Sequence, residues 1–500
     1  MGRIVPSLVC LALALACSEA TPPSDHNTDR LWIRSTGLVL APSDVIRVGA
    51  TLTDSAVTTY HEYPGSLANP WPADKKLRWW TSDPSIASID TGSLLAAHRA
   101  GRVVVWVAVG TVEDSGTVVV GAGSGGTATP YRAVAGGLGH SCALAVDGAA
   151  YCWGFDFNGA LGQGRFRQFT RVAIPGRVSG GHAFDALAVG GNHSCGLTAA
   201  GAAYCWGGNQ YGQLGDSTDP AAFTMIGAFG RPAPVSVSGA HVFRLVAAAG
   251  NHTCALDGAG RAFCWGWHAF GQLGIGGAAT AFEVTPTPVA GDLRFRSLGL
   301  GSLHSCGVTT DSVTYCWGFN DRAQLGIDAL ETPRVCTGNQ RCVASPIAID
   351  SAHRFTSVVA GRTHTCALTS AGAAYCWGNG SPVFVLASGP PFVSLVAGGW
   401  HTCGLTAAGA AYCWGSNGDG QLGIGTIGGE VPSPVAVSTS IAFVALGAGS
   451  AHTCGIDRDG QAYCWGQNGH GEVGNGTVQA PNAVHRAMVP VPVRVLDPLQ

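Results

Sequence analysis

Seven times along this chain a histidine stands two residues before a cysteine, and a second cysteine follows ten positions after the first, directly ahead of Trp-Gly. The stretch NHSCGLTAAGAAYCWG, from Asn192, is typical. The histidines are His140, His193, His252, His304, His364, His401 and His452. His and Cys two apart share a strand face, so His193, Cys195 and Cys205 could offer three metal donors. Zinc ligands instead favour closely spaced cysteines with a fourth partner, and no C-x-x-C is present for redox work. Folding CGLTAAGAAYC about Ala200 leaves the loop Ala199-Ala200-Gly201, a type I turn followed by a left-handed residue. That register sets Cys195 opposite Cys205, within disulfide reach. The same reasoning pairs Cys142 with Cys152, Cys254 with Cys264, Cys306 with Cys316, Cys366 with Cys376, Cys403 with Cys413 and Cys454 with Cys464. Six copies carry Gly third in the turn; the fourth has Ser312. No metal is expected, and no cofactor.

Other chemistry is sparse. G-x-S-x-G, H-E-x-x-H and G-x-x-x-x-G-K are all absent, and Lys75 and Lys76 are the only lysines. Asp147, Asp311, Asp457 and Asp459 suit turn positions. No residue is assigned a catalytic role.

The elements that position these residues repeat with them. Successive histidines are 53, 59, 52, 60, 37 and 51 residues apart, periods that suit a propeller or solenoid. Each copy reads as four short strands: a P-V strand, F-x-x-L/V-x-A-G, H-[ST]-C-[AG]-L and A-Y-C-W-G, then a loop such as NQYGQLG from Asn209 or NGDGQLG from Asn417. With G-G-x-H, Y-x-W-G and G-Q-L-G recurring together, residues 131–500 resemble the regulator of chromosome condensation repeat family. The resemblance implies a seven-bladed β-propeller, and also likens the chain to a secreted propeller that inhibits a beta-lactamase. The fifth copy departs from the pattern, lacking the Q-L-G loop, and the seventh reads HGEVG. In such a fold Trp153, Trp206, Trp265, Trp317, Trp377, Trp414 and Trp465 are expected between blades, and the histidines as hydrogen-bonding residues for neighbouring loops. The first copy lacks a preceding P-V strand while the chain ends MVPVPVRVLDPLQ, so the final strand is expected to complete the first blade and close the ring.

Upstream, residues 1–17 read as a signal peptide ending in ALAC, which resembles a lipobox and makes Cys17 the lipid-attachment residue. Residues 18–30 are a linker. Residues 31–121, with WTSDPSIASID and AGRVVVWVA, resemble a bacterial Ig-like domain, and Trp79, Trp80 and Trp106 are expected in its core. Residues 122–130 form a Gly/Ser linker. The expected fold is therefore all-β, an Ig-like sandwich followed by the propeller.

Charged residues make up only 11% of the chain, Gly numbers 74, and the net charge is −3, which argues against a broad nucleic-acid surface. Eighteen cysteines, sixteen of them in eight close pairs, suit an oxidising compartment. The eighth pair, Cys336 and Cys342, lies in an insertion. Two further insertions carry interface-type residues: Arg165, Phe166, Arg167 and Phe169 in one, Phe223, Met225 and Phe229 in the other. These observations suggest an exported, lipid-anchored or extracellular monomer, binding an unidentified protein or glycan, with the lipid as its only membrane contact and no nucleic acid. The resemblance also implies guanine-nucleotide exchange on a small GTPase as an alternative; a channel-sited hydrolase is a third reading that no motif supports.

Overall fold

The computed structural model describes stretches of residues 30–120 and the chain from 129 to 498, apart from 167–169, 221–228, 278–280, 334–335, 337–338, 350–351 and 479–486. Residues 1–29, with Cys17, lie outside the described residues. The chain divides into two compact units, Met1–Ala128 and Thr129–Gln500.

The first unit contains β1 (Arg30–Ser35), β2 (Val39–Leu40), β3 (Val45–Thr53), β4 (Tyr60–Tyr63), β5 (Arg78–Thr81), β6 (Ala87–Ile89), β7 (Leu94–Ala97), β8 (Gly101–Val109) and β9 (Val112–Val120). They form two sheets, one ordered β1-β3-β7-β6 with β4 beside β3, the other β2-β9-β8-β5. Val103, Val105 and Val107 alternate inward and are buried. This alternation corrects the expectation for Trp80 and Trp106. Trp80 faces Trp106 across β5 and β8, the two rings stack at 6.0 Å, and Trp80 is 38% exposed. Both therefore point away from the valine face, while Trp79 pairs with Val107 in register and is half-buried.

The second unit is a ring of seven four-stranded antiparallel sheets. Blade 1 is β10 (Tyr131–Gly136), β11 (His140–Ala145), β12 (Ala150–Asp156) and β13 (Thr170–Arg177). Blade 2 is β14 (Phe184–Val189), β15 (His193–Thr198), β16 (Ala203–Gly208) and β17 (Gly230–Ser236). Blade 3 is β18 (Phe243–Ala249), β19 (His252–Asp257), β20 (Ala262–Trp267) and β21 (Phe282–Pro288). Blade 4 is β22 (Phe295–Leu300), β23 (His304–Thr309), β24 (Thr314–Phe319) and β25 (Cys342–Ile349). Blade 5 is β26 (Phe355–Ala360), β27 (His364–Thr369), β28 (Ala374–Gly378) and β29 (Ser381–Leu386). Blade 6 is β30 (Phe392–Ala397), β31 (His401–Thr406), β32 (Ala411–Ser416) and β33 (Glu430–Ala436). Blade 7 is β34 (Phe443–Ala448), β35 (His452–Asp457), β36 (Ala462–Gln467) and β37 (Met488–Arg494).

The last strand does not complete the first blade. β37 pairs with β36 and is the outer strand of blade 7, because the P-V strand follows each Cys-Trp strand instead of preceding the Phe strand. Blade 1 already has its own outer strand, β13. The ring closes between whole blades: the amide of Tyr131 donates to Gly460 O at 2.8 Å, and Tyr131, Trp153, Val473 and Val495 share one buried cluster.

Within each blade the cysteine strands lie in register, Cys195 against Cys205 for example. All seven such pairs are bridged with Cα atoms 4.0–4.1 Å apart, and Cys336–Cys342 is bridged with its Cα atoms 6.0 Å apart. The turn between them needs its glycine twice over. Gly201 has φ +80°, and a Cβ there would come 2.8 Å from Phe243 O. Its own carbonyl accepts the Phe243 amide at 2.9 Å, so the turn also fastens the next blade.

Candidate functional site

The chemistry-bearing residues of the repeat meet at the junctions between blades. Each histidine reaches the hydroxyl that follows the next histidine. His140 Nε2 lies 3.0 Å from Ser194 Oγ, His193 Nε2 is 2.8 Å from Thr253 Oγ1, and His252 Nε2 is 2.9 Å from Ser305 Oγ. The series continues through His304–Thr365, His364–Thr402 and His401–Thr453, and His452 closes it at Ser141 with 2.8 Å. At five junctions the hydroxyl donates onward to a backbone carbonyl of the preceding blade's loop: Thr253 to Gln213 O, Ser305 to Gln272 O, Thr365 to Gln324 O, Thr453 to Gln421 O and Ser141 to Glu472 O. A hydroxyl has one proton, so at these five it must accept from a neutral Nε2–H. The histidine is then a donor, the reverse of a base activating a nucleophile.

Burial enforces that neutral form. Desolvation lowers the pKa of His140, His193, His252, His304 and His401 to about 3, and of His364 and His452 to about 4. The Gly three residues before His explains the G-G-x-H signature: a Cβ at Gly190 would lie 2.3 Å from His193 Cε1. The tryptophans use the same carbonyls. Trp265 Nε1 donates to Gln213 O at 3.0 Å and Trp317 Nε1 to Gln272 O at 2.9 Å, and a Cβ at the loop glycine Gly215 would come 2.7 Å from the Trp265 indole. The loop is itself held by its polar residues. Asn209 Oδ1 accepts the Leu214 amide and Gln213 Oε1 the Tyr211 amide. In blade 7 Glu472 takes the glutamine's place, accepting the His470 amide at 2.7 Å, and burial raises its pKa to about 7.

With these groups committed to blade junctions, the channel mouth and the insertions that carry the candidate partner residues share one face. Antiparallel alternation puts the first-to-second and third-to-fourth strand connections of every blade at the same end. The first set surrounds the channel mouth, a cavity of about 270 Å³ lined mainly by Gly and Ala, with Asn192, Asn251, Ser302, Arg362 and Ser450 among its polar residues. Leu138 and Trp400 are exposed beside it, and the Arg362 guanidinium sits 5.4 Å from the Trp400 ring. Backbone bonds tie this rim together, including Leu138 N to Gly191 O, Gly399 N to Ser450 O and Ser450 N to Gly137 O.

The second set carries the insertions. Arg165 and Phe166 follow β12 and are exposed, and the preceding Gly164 amide is anchored to Pro232 O. Phe229 precedes β17, half-buried, its carbonyl accepting the Asn209 amide at 2.7 Å. Asp216, held by Arg231 at 3.3 Å, braces the base of that loop. The Cys336–Cys342 loop leads into β25 and is held by the Arg341 amide donating to Asp321 Oδ1 at 3.1 Å. Arg167, Phe169, Phe223 and Met225 lie outside the described residues. Topology thus places the described ends of the three insertions on one face. The mouth residues were missed in the sequence, where they occupy the varying positions between the repeat's Gly and His.

Comparison with known proteins agrees with this geometry. The regulator of chromosome condensation (RCC1) repeat matches residues 184–213, 243–272, 355–381, 392–421 and 443–472, and a second description of the same repeat matches 200–256, 259–308 and 408–456. Among curated relatives, the ultraviolet-B receptor UVR8 of Arabidopsis thaliana is 30% identical, over 50% of this chain and 53% of its own. The guanine nucleotide exchange factor SRM1 of Saccharomyces cerevisiae is 29% identical over the same shares. The chain spans about half the length of these relatives. In fold it is similar to Prp20p of Saccharomyces cerevisiae, with a TM-score of 0.61 at 22% identity, covering 71% of this chain and 87% of that one. Human WBSCR16 gives 0.59 at 19% identity, covering 77% and 100%. The second unit of this chain is a seven-bladed β-propeller in which RCC1 repeats are matched in blades 2 to 7.

Proposed function

We propose that this protein is a non-catalytic binding propeller that works outside the cytoplasm and takes a protein partner on its loop face. The observation that carries the reading is the gathering on that face of the insertions of blades 1, 2 and 4, one of them closed by its own disulfide. Binding residues concentrate on loops held by a rigid scaffold, and here the scaffold is stapled at every blade. The disulfides favour an oxidising compartment, and in this reading residues 1–17 direct export, Cys17 carries the lipid, and the first unit is an Ig-like spacer. Two similar proteins, SRM1 and Prp20p, are described as a guanine nucleotide exchange factor and as a binder of Gsp1p and histones, which favours a protein over a glycan as ligand.

Affinity capture with the oxidised full chain from cell-envelope and extracellular extract tests this. One enriched protein, lost with Phe166→Ala/Phe229→Ala or Cys336→Ser/Cys342→Ser while the melting temperature holds, is the expected result. Capture unaffected by both variants would remove the loop face from the account. The similarity to SRM1 favours nucleotide exchange as the second reading; accelerated GDP release from a small GTPase by the oxidised protein would establish it in place of the first.

A further inference from the structure

The fifth blade differs from the other six in three ways that converge on one strand. It lacks the loop that carries Q-L-G elsewhere, or A-L-G and E-V-G in blades 1 and 7: Asn379 and Gly380, with φ of 54° and 100°, turn directly from β28 into β29, an Asn-Gly hairpin of the tightest kind. Its outer strand is unguarded. Every other outer strand carries proline in its middle or latter part, at Pro175, Pro234, Pro286, Pro346, Pro434 and Pro492, which blocks a further strand from pairing. β29 has proline only at Pro382 and then runs Val-Phe-Val-Leu. Phe384 turns inward onto Trp377, 4.4 Å between ring centroids, while Val383, Val385 and Leu386 are 62%, 59% and 49% exposed. Finally, no Asp, Glu, Lys or Arg occurs between Arg362 and Asp419, and the two histidines in that span are buried.

We infer that β29 is a self-association edge, pairing antiparallel with β29 of a second copy of this chain across a two-fold axis. A strand added here meets the exposed Val383, Val385 and Leu386 of a blade whose own four strands carry no charged residue, so a charged strand would lose hydration with no counterion on that blade. A second copy brings the same uncharged Val-Phe-Val-Leu edge, and antiparallel pairing of a strand with itself is self-complementary and closed. Four residues a side bury far less than the roughly 1,200 Å² of a standard interface, so the dimer is concentration-dependent, replacing the monomer that the sequence suggests at high protein concentration only. The loop face stays free in either state, and the inference does not depend on the ligand bound there.

Sedimentation equilibrium of the oxidised full chain, with amide hydrogen exchange over residues 381–387, tests it. The parent is expected to shift from monomer to dimer between about 1 and 200 μM, with slower exchange in 381–387 as it does so, and Val383→Lys/Val385→Lys to weaken association at least tenfold at unchanged melting temperature. Val444→Lys, which alters an exposed valine on the inner strand of blade 7, is expected to leave association intact. A parent that stays monomeric, or a dimer in which 381–387 exchanges no more slowly, would overturn the inference. So would a monomer that gains protection there only on adding an extended apolar peptide, which would assign the edge to a foreign strand.

Discussion

His252 and Ser305 illustrate why residues that look reactive in the sequence do no chemistry here. The hydroxyl spends its proton on Gln272 O and accepts from His252 Nε2, with both residues fully buried. Replacing Ser305 with Ala leaves a buried N–H without its acceptor, a loss of about 1–3 kcal/mol, visible as a lower denaturant midpoint. The seven histidines bind protons less readily folded than unfolded, so stability is full above their unfolded pKa and falls as pH drops from about 6.5 toward 3 to 4. Acid unfolding should take up several protons, measured as a steep fall in melting temperature below pH 6. Glu472 has the opposite sign. Its raised pKa means the folded state binds a proton the unfolded state has lost, so its contribution is full below about pH 4.5 and declines as pH rises through 7. Glu472→Gln should be more stable than the parent at pH 8, by on the order of 2 kcal/mol, and lose that advantage at pH 4.5. The cysteine spacing made the staples legible in sequence. The histidine's partner was not, because it sits about fifty residues away on the next blade.

At the scale of the strand and turn, the glycine third in each hairpin was readable because only one turn geometry fits its spacing. The exception, Ser312, holds φ at 68°, a conformation that costs a non-glycine residue about 1 kcal/mol. Its hydroxyl receives Arg296 Nη2 at 2.8 Å, a half-exposed bond that offsets part of that cost. Ser312→Gly is expected to raise the melting temperature slightly, with a gain of about 0.5 kcal/mol. The disulfides act on the same hairpins. Each closes a loop of ten residues' separation, worth up to about 2.5–3 kcal/mol in the loop-entropy picture. Reduction, which opens all the bridges together, should therefore lower the denaturant midpoint sharply, whereas Cys336→Ser/Cys342→Ser, which opens a single one, should move it by a small fraction of that. Trp80 and Trp106 were misjudged because hydrophobicity alone does not say which face a strand residue takes. Period two does, and Val103, Val105 and Val107 fix it.

For the whole ring, blade number followed from counting repeats, but the phase of the repeat was misread. The P-V strand can be drawn before the Phe strand or after the Trp strand with equal sequence support. Only the pairing of β37 with β36 decides it. Closure is then one more junction of the ordinary kind: Ser141 and Trp153 meet Glu472 O as Ser305 and Trp317 meet Gln272 O. Ser141→Ala should accordingly cost about as much stability as Ser305→Ala, within roughly 0.5 kcal/mol, whereas a ring closed by a single swapped strand would make the seam the more sensitive site.

The central claim, that the repeated His, Ser/Thr and Trp residues join blades and leave binding to the loop face, is tested most directly by titrating the histidine side chains with ¹⁵N-edited NMR. Seven neutral rings with no titration until the protein unfolds in acid, five of them Nε2–H donors to the hydroxyls that give their proton to a carbonyl, are the predicted result. Any one of the seven titrating near pH 6.5 in the folded protein would mark a histidine that water or a substrate can reach, and would contradict the account.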